Sequence, residues 1–137
     1  MGLGQLPGYQ FHFNKVGLDQ SGKGNIEPAG PKQEVWGAIF QVNLEEIPQL
    51  DQAESLGVGY ERHYLNVWSH HRQIRVFTYL ALLKDDALRP FHWYKAYVVK
   101  GALALGLPQD YIHSLQAMPA IEDPQQARRQ QHAEILV

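Results

Sequence analysis

The first third of the chain alternates apolar and polar residues in the way that β-strands do. Aromatic side chains alternate with polar ones across residues 9–13, which predicts a half-buried strand. A flexible connection rich in glycine and proline follows over 14–32, with a brief strand expected at 25–27. Residues 34–42 are apolar on both faces, which predicts a central strand, and Gly37 within it predicts a close packing contact.

A short helix and two more strands are predicted next. Asn43 and Glu46 have the spacing of a capping box, and the helix that follows is expected to end near Gly57. Strands are expected at about 61–68 and 73–83. The four residues between them are few enough for an antiparallel hairpin.

Beyond Asp85 the apolar period changes from 2 to 3.6, which predicts helices. A first helix is expected from Pro90 to Gly106 and a second over 109–116. The apolar stripe of the first helix comprises Tyr94, Tyr97, Val98, Gly101, Ala102 and Leu105. Residues 123–137 have little apolar surface and are expected to form a peripheral C-terminal tail or helix.

Strands first and helices later predict one α+β domain over residues 1–122, with a small, mixed, mainly antiparallel sheet that is curved or barrel-like and has flanking helices. The length of 137 residues suits a single core without disulfides. Cysteine is absent, and the formal net charge is -2 with both signs interspersed. We therefore expect a soluble, cytoplasmic protein that binds neither nucleic acid nor membrane. The first ten residues lack the pattern of a signal peptide.

An ordered set of short motifs covers residues 6 to about 118. The motifs are Leu-Pro-Gly-Tyr at 6–9, Val-Trp-Gly at 35–37, Leu-Asp-x-x-Glu at 50–54, Gly-Tyr-Glu-Arg at 59–62, Thr-Tyr-Leu at 78–80, Pro-x-x-x-Tyr at 90–94 and Gly-Leu-Pro-x-x-Tyr at 106–111. In order and spacing the set resembles the gamma-glutamylcyclotransferase-like family, which includes plant avirulence-induced proteins. The resemblance implies a small mixed barrel with flanking helices.

The resemblance also implies an activity and a site. The family reaction is a cyclising acyl transfer, in which a γ-glutamyl amide becomes 5-oxoproline and an amine or amino acid is released. Glu54 would be the general acid/base, and Tyr60, Tyr79 and Tyr94 would line the cavity for this small-molecule substrate. Such chemistry needs one proton-transfer group and no covalent nucleophile, metal or cofactor.

Position alone leaves other interpretations open for these residues. Glu54 also fits a solvated residue near a helix end, and each tyrosine fits a core or rim position. The adjacent His70 and His71 fit a solvated turn better than a metal site, because neighbouring side chains point apart and no third ligand has a matching spacing.

Family members open with a strand that ends in Tyr-Gly-Ser-Asn, whose backbone amides bind an anion. Only five residues precede Leu6 here, so the sequence predicts an N-terminally short domain that lacks this strand and loop. An amino-terminal arm, or a partner chain in a homo-oligomer, is then expected to cover the open sheet edge. The alternative to an enzyme is a catalytically silent member that acts as a small-ligand-binding or interaction protein.

Overall fold

A computed structural model of the chain describes residues 2–53 and 59–136. The strands are β1 (Gly2–Pro7), β2 (Tyr9–Val16), β3 (Gly22–Pro28), β4 (Glu34–Ile39), β5 (Tyr60–Ser69) and β6 (Arg72–Ala81). The helices are α1 (Ile47–Ala53), which follows a 3₁₀ turn at Leu44–Glu46, then α2 (His92–Leu105), α3 (Gln109–Ala117) and α4 (Gln126–Leu136).

The strands form a four-stranded antiparallel sheet and a separate hairpin. The order in the larger sheet is β4-β1-β5-β6, and β2 pairs with β3. Backbone hydrogen bonds join the hairpin to the segment after β6, from Val16 to Leu83 and from Gly22 to Arg89. The α+β class with antiparallel pairing and flanking helices is confirmed.

Strand β1 runs through the interior of the larger sheet. It pairs with β4 along its whole length and with β5 through Gln5 and Trp68. The amino-terminal arm therefore lies between two strands, and the edges of this sheet are β4 and β6. The alternation of β1 is hard to see in the sequence because Gly2 and Gly4 occupy positions on one face. A Cβ at Gly4 would lie 3.0 Å from Ile39, so the small residue lets that side chain pack close.

Two strand predictions need correction. The stretch at 34–42 forms an edge strand, not a central one, and it ends at Ile39. The close contact expected at Gly37 is absent, because a Cβ there would meet no atom of residues 2–53 or 59–136 within 4 Å. The brief strand expected at 25–27 extends over Gly22–Pro28, because β2 supplies a full-length hairpin partner. Pairing with a neighbour thus overrides the local glycine and proline signals.

The hairpin of β5 and β6 is confirmed, and its two-residue turn carries backbone strain. His70 and His71 have φ angles of 50° and 63°, a left-handed conformation that favours glycine. Replacing His71 with glycine should raise the free energy of unfolding by about 0.5–1 kcal/mol. Urea denaturation measures this change. The same substitution at the exposed His113 in α3 should instead lower stability by about 1 kcal/mol, and a loss at both positions would contradict the turn assignment.

Helices α2 and α3 form as expected and build the core with one face of the sheet. Gly106 ends α2 with a φ of 69°, and its N–H caps the carbonyls of Ala102 and Leu103. The core cluster comprises Ala102, Leu107, Ile112 and Leu115, with Leu3 and Trp36 from the sheet packed against it. Gly101 and Leu105 are exposed, so the predicted stripe of α2 is only partly buried.

The predicted capping box at Asn43 does not form. Asn43 begins the 3₁₀ turn, but its side chain makes no capping bond to the backbone and donates to Glu46 at 3.4 Å instead.

At the other end of the chain, α4 has no buried residue, yet Asp123 before it is fully enclosed. His132 of α4 stacks on Trp93 of α2 with ring centroids 3.7 Å apart, which fastens the C-terminal helix to the domain. Within the described ranges no helix is long and apolar enough to cross a membrane.

Candidate active site

Helix α1 is fixed to the sheet by a carboxylate two residues before its end at Ala53. Asp51 accepts a hydrogen bond of 2.6 Å from the Tyr79 hydroxyl and two from Arg62 Nη1, at 3.0 and 3.2 Å. Arg62 and Tyr79 are cross-strand partners on β5 and β6, so the hairpin register brings both donors to one carboxylate. Glu54, the predicted acid/base, is three residues further along the chain and lies outside the described residues.

The other two predicted tyrosines bind the backbone of one residue of the β2–β3 hairpin, Gly24. Tyr60 donates its hydroxyl to the carbonyl oxygen of Gly24 at 2.9 Å, and the N–H of Gly24 donates to the Tyr94 hydroxyl at 3.0 Å. Gly24 lies where the register shifts between His12 and Lys15, at a β-bulge. A Cβ at this position would lie 3.2 Å from the Phe11 ring, so glycine permits the close approach.

Lysines pack against the same tyrosines. Lys23 Nζ lies 4.5 Å from the centroid of the Tyr94 ring and pairs with Asp19 at 3.0 Å. Burial alone would raise the pKa of Asp19, but hydrogen bonds from Ser21 and Lys23 outweigh it and lower that pKa below its ordinary value. Lys15 Nζ lies 4.9 Å from the centroid of the Tyr60 ring. The aromatic faces therefore stabilise two cations beside the candidate tyrosines.

The contact between Asp51 and Tyr79 can be measured through a double-mutant cycle of Asp51→Asn and Tyr79→Phe. Because both groups are largely withdrawn from water and the bond is charge-assisted, we expect a coupling free energy of about 1–2 kcal/mol in urea unfolding. Pairing Asp51→Asn with the exposed Tyr64→Phe provides the control, where the coupling should be near zero. Additive losses for the first pair would mean that the two side chains do not interact in solution.

An open, mainly apolar cavity of about 1000 Å³ lies on the face of the sheet away from α2 and α3. Alternation along β1 places Leu3 toward the helices and Gly4 and Leu6 toward the cavity. Leu50 of α1 also lines it, next to Asp51. The three predicted tyrosines are not among its lining residues, so their role in binding substrate stays a prediction.

The two turn histidines do not gather a ligand set. His70 and His71 border a shallow depression of about 370 Å³ together with Trp36 and Trp68. Among the residues that the structure describes, no three His, Asp or Glu side chains are grouped in a way that could hold a metal ion.

The sequence alone assigned no role to three residues that contact the predicted tyrosines or their partners in the structure. Asp51 and Arg62 belong to the quoted motifs, but only the pairing of β5 with β6 shows that they bind each other. Gly24 was interpreted as part of a flexible connection, and its backbone contacts with two tyrosines leave no trace in residue type. The available signal was the alternation along β5, which places Arg62 on the same face of the strand as the predicted Tyr60.

Comparison with known proteins defines the family. The model of the AIG2-like family matches residues 34–115, more than half of the chain, and the chain belongs to that family. Its sequence is 31% identical to that of mouse gamma-glutamylcyclotransferase over 90 residues, which are 64% of this chain. The matched part is 47% of the mouse protein, so the chain spans about half the length of that relative.

Solved structures share the fold. A human protein described as uncharacterized has a TM-score of 0.87 at 22% identity, and a protein titled gamma-glutamyl cyclotransferase has 0.87 at 21%. Each comparison covers 99% of this chain and 83% of the other. YkqA from Bacillus subtilis has a TM-score of 0.76 at 18% identity, over 88% of this chain and 45% of its own. Likeness at these identities shows a common fold.

Proposed function

We propose that this protein cyclises a γ-glutamyl amide to 5-oxoproline and releases an amine or amino acid. The α-amine of the substrate attacks its own γ-carbonyl carbon, a C–N bond forms to close the ring, and the original amide C–N bond breaks. The proton lost by the attacking amine ends on the leaving amine, so no co-reactant is consumed. Because both reacting groups belong to one molecule, binding the substrate in a conformation that brings the amine close to the carbonyl supplies much of the rate acceleration.

Glu54 would carry the proton between the two nitrogens. A carboxylate near aromatic side chains suits a shuttle, since an apolar setting shifts such a group toward the pKa range of acid/base catalysis. Asp51 would act as a positioning residue, because its bonds to Tyr79 and Arg62 hold α1, the helix that leads to Glu54. Tyr60, Tyr79 and Tyr94 would surround the substrate.

The observation that carries this proposal is the set of hydrogen bonds that the three tyrosine hydroxyls make. One hydroxyl binds the carboxylate of α1, and the other two bind the backbone N–H and carbonyl of Gly24 in the β2–β3 hairpin. Tyr79 is thereby held against the helix that precedes Glu54, and Tyr60 and Tyr94 are held at one residue of the hairpin. The names of the mouse relative and of one solved structure support the same reaction class.

The test is an assay of the purified protein against a panel of γ-glutamyl amides with small, acidic, basic and aromatic leaving groups. We expect 5-oxoproline and the free amine to accumulate in equal amounts with at least one member of the panel. If neither product rises above the rate in buffer for any member, the chain is not a cyclotransferase under these conditions, and a silent, ligand-binding relative becomes the better description.

The proposal also covers the cellular compartment of the protein and its self-association. We place it in the cytoplasm, in keeping with a sequence free of cysteine. Strands β4 and β6 are the edges of the larger sheet, and self-association through one of them would satisfy backbone groups that face outward.

A further inference from the structure

Lys15 lies near the end of β2, beside the ring of one of the candidate substrate tyrosines. Its ammonium group is 4.9 Å from the centroid of the Tyr60 ring, and the residue is half-buried. The ring face stabilises the charge on one side of the ammonium group, whereas an anion would satisfy its remaining N–H donors. The position therefore joins a positive charge to a residue of the proposed site.

Three lysines converge at this end of the hairpin, and they differ in their partners. Lys15 lies opposite Lys23 in the pairing of β2 with β3, and its backbone forms an isolated β-bridge with that of Lys84. Lys23 is paired with Asp19, and Lys84 is paired with Glu27. In the part of the chain that the structure describes, no Asp or Glu oxygen lies within 4.0 Å of Lys15 Nζ. Lys15 is thus the member of this group that lacks a carboxylate partner there.

The neighbouring carboxylates are engaged by other donors. Asp19 also accepts from Ser21, Glu27 from Asn14, Asp85 from the Ala87 N–H and Asp86 from Asn14. Asn14 is itself buried and is held by Asn25, so it keeps these acidic groups in place. An external carboxylate could therefore approach Lys15 without first displacing an internal salt bridge.

A γ-glutamyl amide brings such a carboxylate. Its α-carbon carries an ammonium group, which must lose a proton before it attacks, and a carboxylate, which keeps its charge throughout the reaction. We propose that Lys15 binds this α-carboxylate and so selects substrates with a free γ-glutamyl head; this inference rests on the function proposed above. A charge-assisted bond to Lys15 would be equally strong in the ground state and the transition state, so it would act on substrate affinity.

The experiment pairs Lys15→Gln with two forms of one substrate. With γ-glutamyl 4-nitroanilide, whose product absorbs visible light, we expect Lys15→Gln to raise KM about 10- to 100-fold and to change kcat by less than about threefold. With the α-carboxamide form of the same anilide, which lacks the negative charge, the variant and the unmodified protein should have equal KM values. Lys15→Arg should recover part of the lost affinity for the charged form, because it restores the cation.

Lys84→Gln is the matched control, since Lys84 lies opposite Lys15 in an isolated β-bridge. The substitution also removes one lysine charge, but the contact that it breaks is the ion pair of Lys84 with Glu27. Its KM for both anilides should stay within about twofold of the unmodified value. Calorimetric titration with 5-oxoproline adds a readout without turnover, and Lys15→Gln should weaken that binding by a similar factor.

The possible failures of the two proposals are distinguishable. Turnover by the unmodified protein with no change in KM for Lys15→Gln would overturn the role of Lys15 alone. An equal rise in KM for the charged and uncharged anilides would overturn it as well, because the effect would then be structural. If the unmodified protein neither turns over any member of the panel nor binds 5-oxoproline, the proposed function fails, and the role of Lys15 fails with it.

Discussion

Replacing Glu54 with glutamine should lower the rate of 5-oxoproline formation by about 10²–10⁴-fold, the usual contribution of a single general acid/base. Glutamine keeps the size of the side chain but cannot exchange a proton with the attacking and leaving nitrogens. The loss should appear in kcat, because proton transfer belongs to the chemical step and not to substrate binding. Steady-state kinetics with the best amide of the panel would measure it.

Glu61→Gln supplies the control, since it changes the same residue type seven positions later on β5. The Glu61 side chain is 60% exposed, and its partner in the structure is His63 at 3.3 Å. Its kcat should stay within about twofold of the unmodified protein, as expected for an exposed pair. If Glu61→Gln lost as much activity as Glu54→Gln, or if Glu54→Gln kept full activity with unchanged far-UV circular dichroism, Glu54 would not be the shuttle.

The second large effect is expected at Asp123, at the base of α4. Its side chain is wholly enclosed and accepts hydrogen bonds from Arg128, from Trp93 Nε1 at 2.9 Å and from the Gln125 N–H at 2.9 Å. Asp123→Ala removes all three contacts at once, so we expect the free energy of unfolding to fall by about 3 kcal/mol and the Tm by roughly 10 °C. Differential scanning calorimetry would measure both quantities.

The same carboxylate should make stability depend on pH in the acid range. The hydrogen bond from Arg128 is the main reason why the pKa of Asp123 lies well below its ordinary value of 3.8. A depressed pKa means that the stabilisation is complete above the unfolded value and disappears as the pH falls below about 4. Asp123→Asn cannot titrate, so its unfolding free energy should change less between pH 4 and pH 2 than that of the unmodified protein.

Glu122→Gln is the control for this region, because the Glu122 side chain is 70% exposed and pairs with Arg129 of α4. We expect less than about 0.5 kcal/mol of change from it. A Tm for Asp123→Ala within 2 °C of the Glu122→Gln value would show that the carboxylate does not hold the C-terminal segment.

The helices and the β5–β6 hairpin were predictable because their signals are local. Pro90, Gly106 and Pro108 mark the ends of α2 and α3, and these helices begin and end within a few residues of the expected positions. β1 and β3 were missed or shortened because their pattern is interrupted by glycine and their stability comes from partners elsewhere in the chain. Strand pairing of this kind depends on tertiary contacts that a single segment does not contain.

Some residues of the candidate site could likewise be predicted from local motifs, and others only from tertiary contacts. Resemblance of motifs singled out Glu54 and the three tyrosines, whose residue types are tied to the family reaction. Asp51, Gly24 and Lys15 emerged only from the register of two hairpins, since each acts through a neighbour distant in sequence. A backbone group such as that of Gly24 has no side chain for a sequence pattern to reveal.

The backbone of Gly24 also offers a spectroscopic use. The N–H of Gly24 is hydrogen-bonded to a tyrosine of α2 and its carbonyl to a tyrosine of β5, so one residue links the hairpin, the helix layer and the larger sheet. A ligand that moves either ring should change the chemical shift of the Gly24 amide. A single resonance in a ¹H–¹⁵N correlation spectrum would then report occupancy of the site, even with compounds that are bound but never converted.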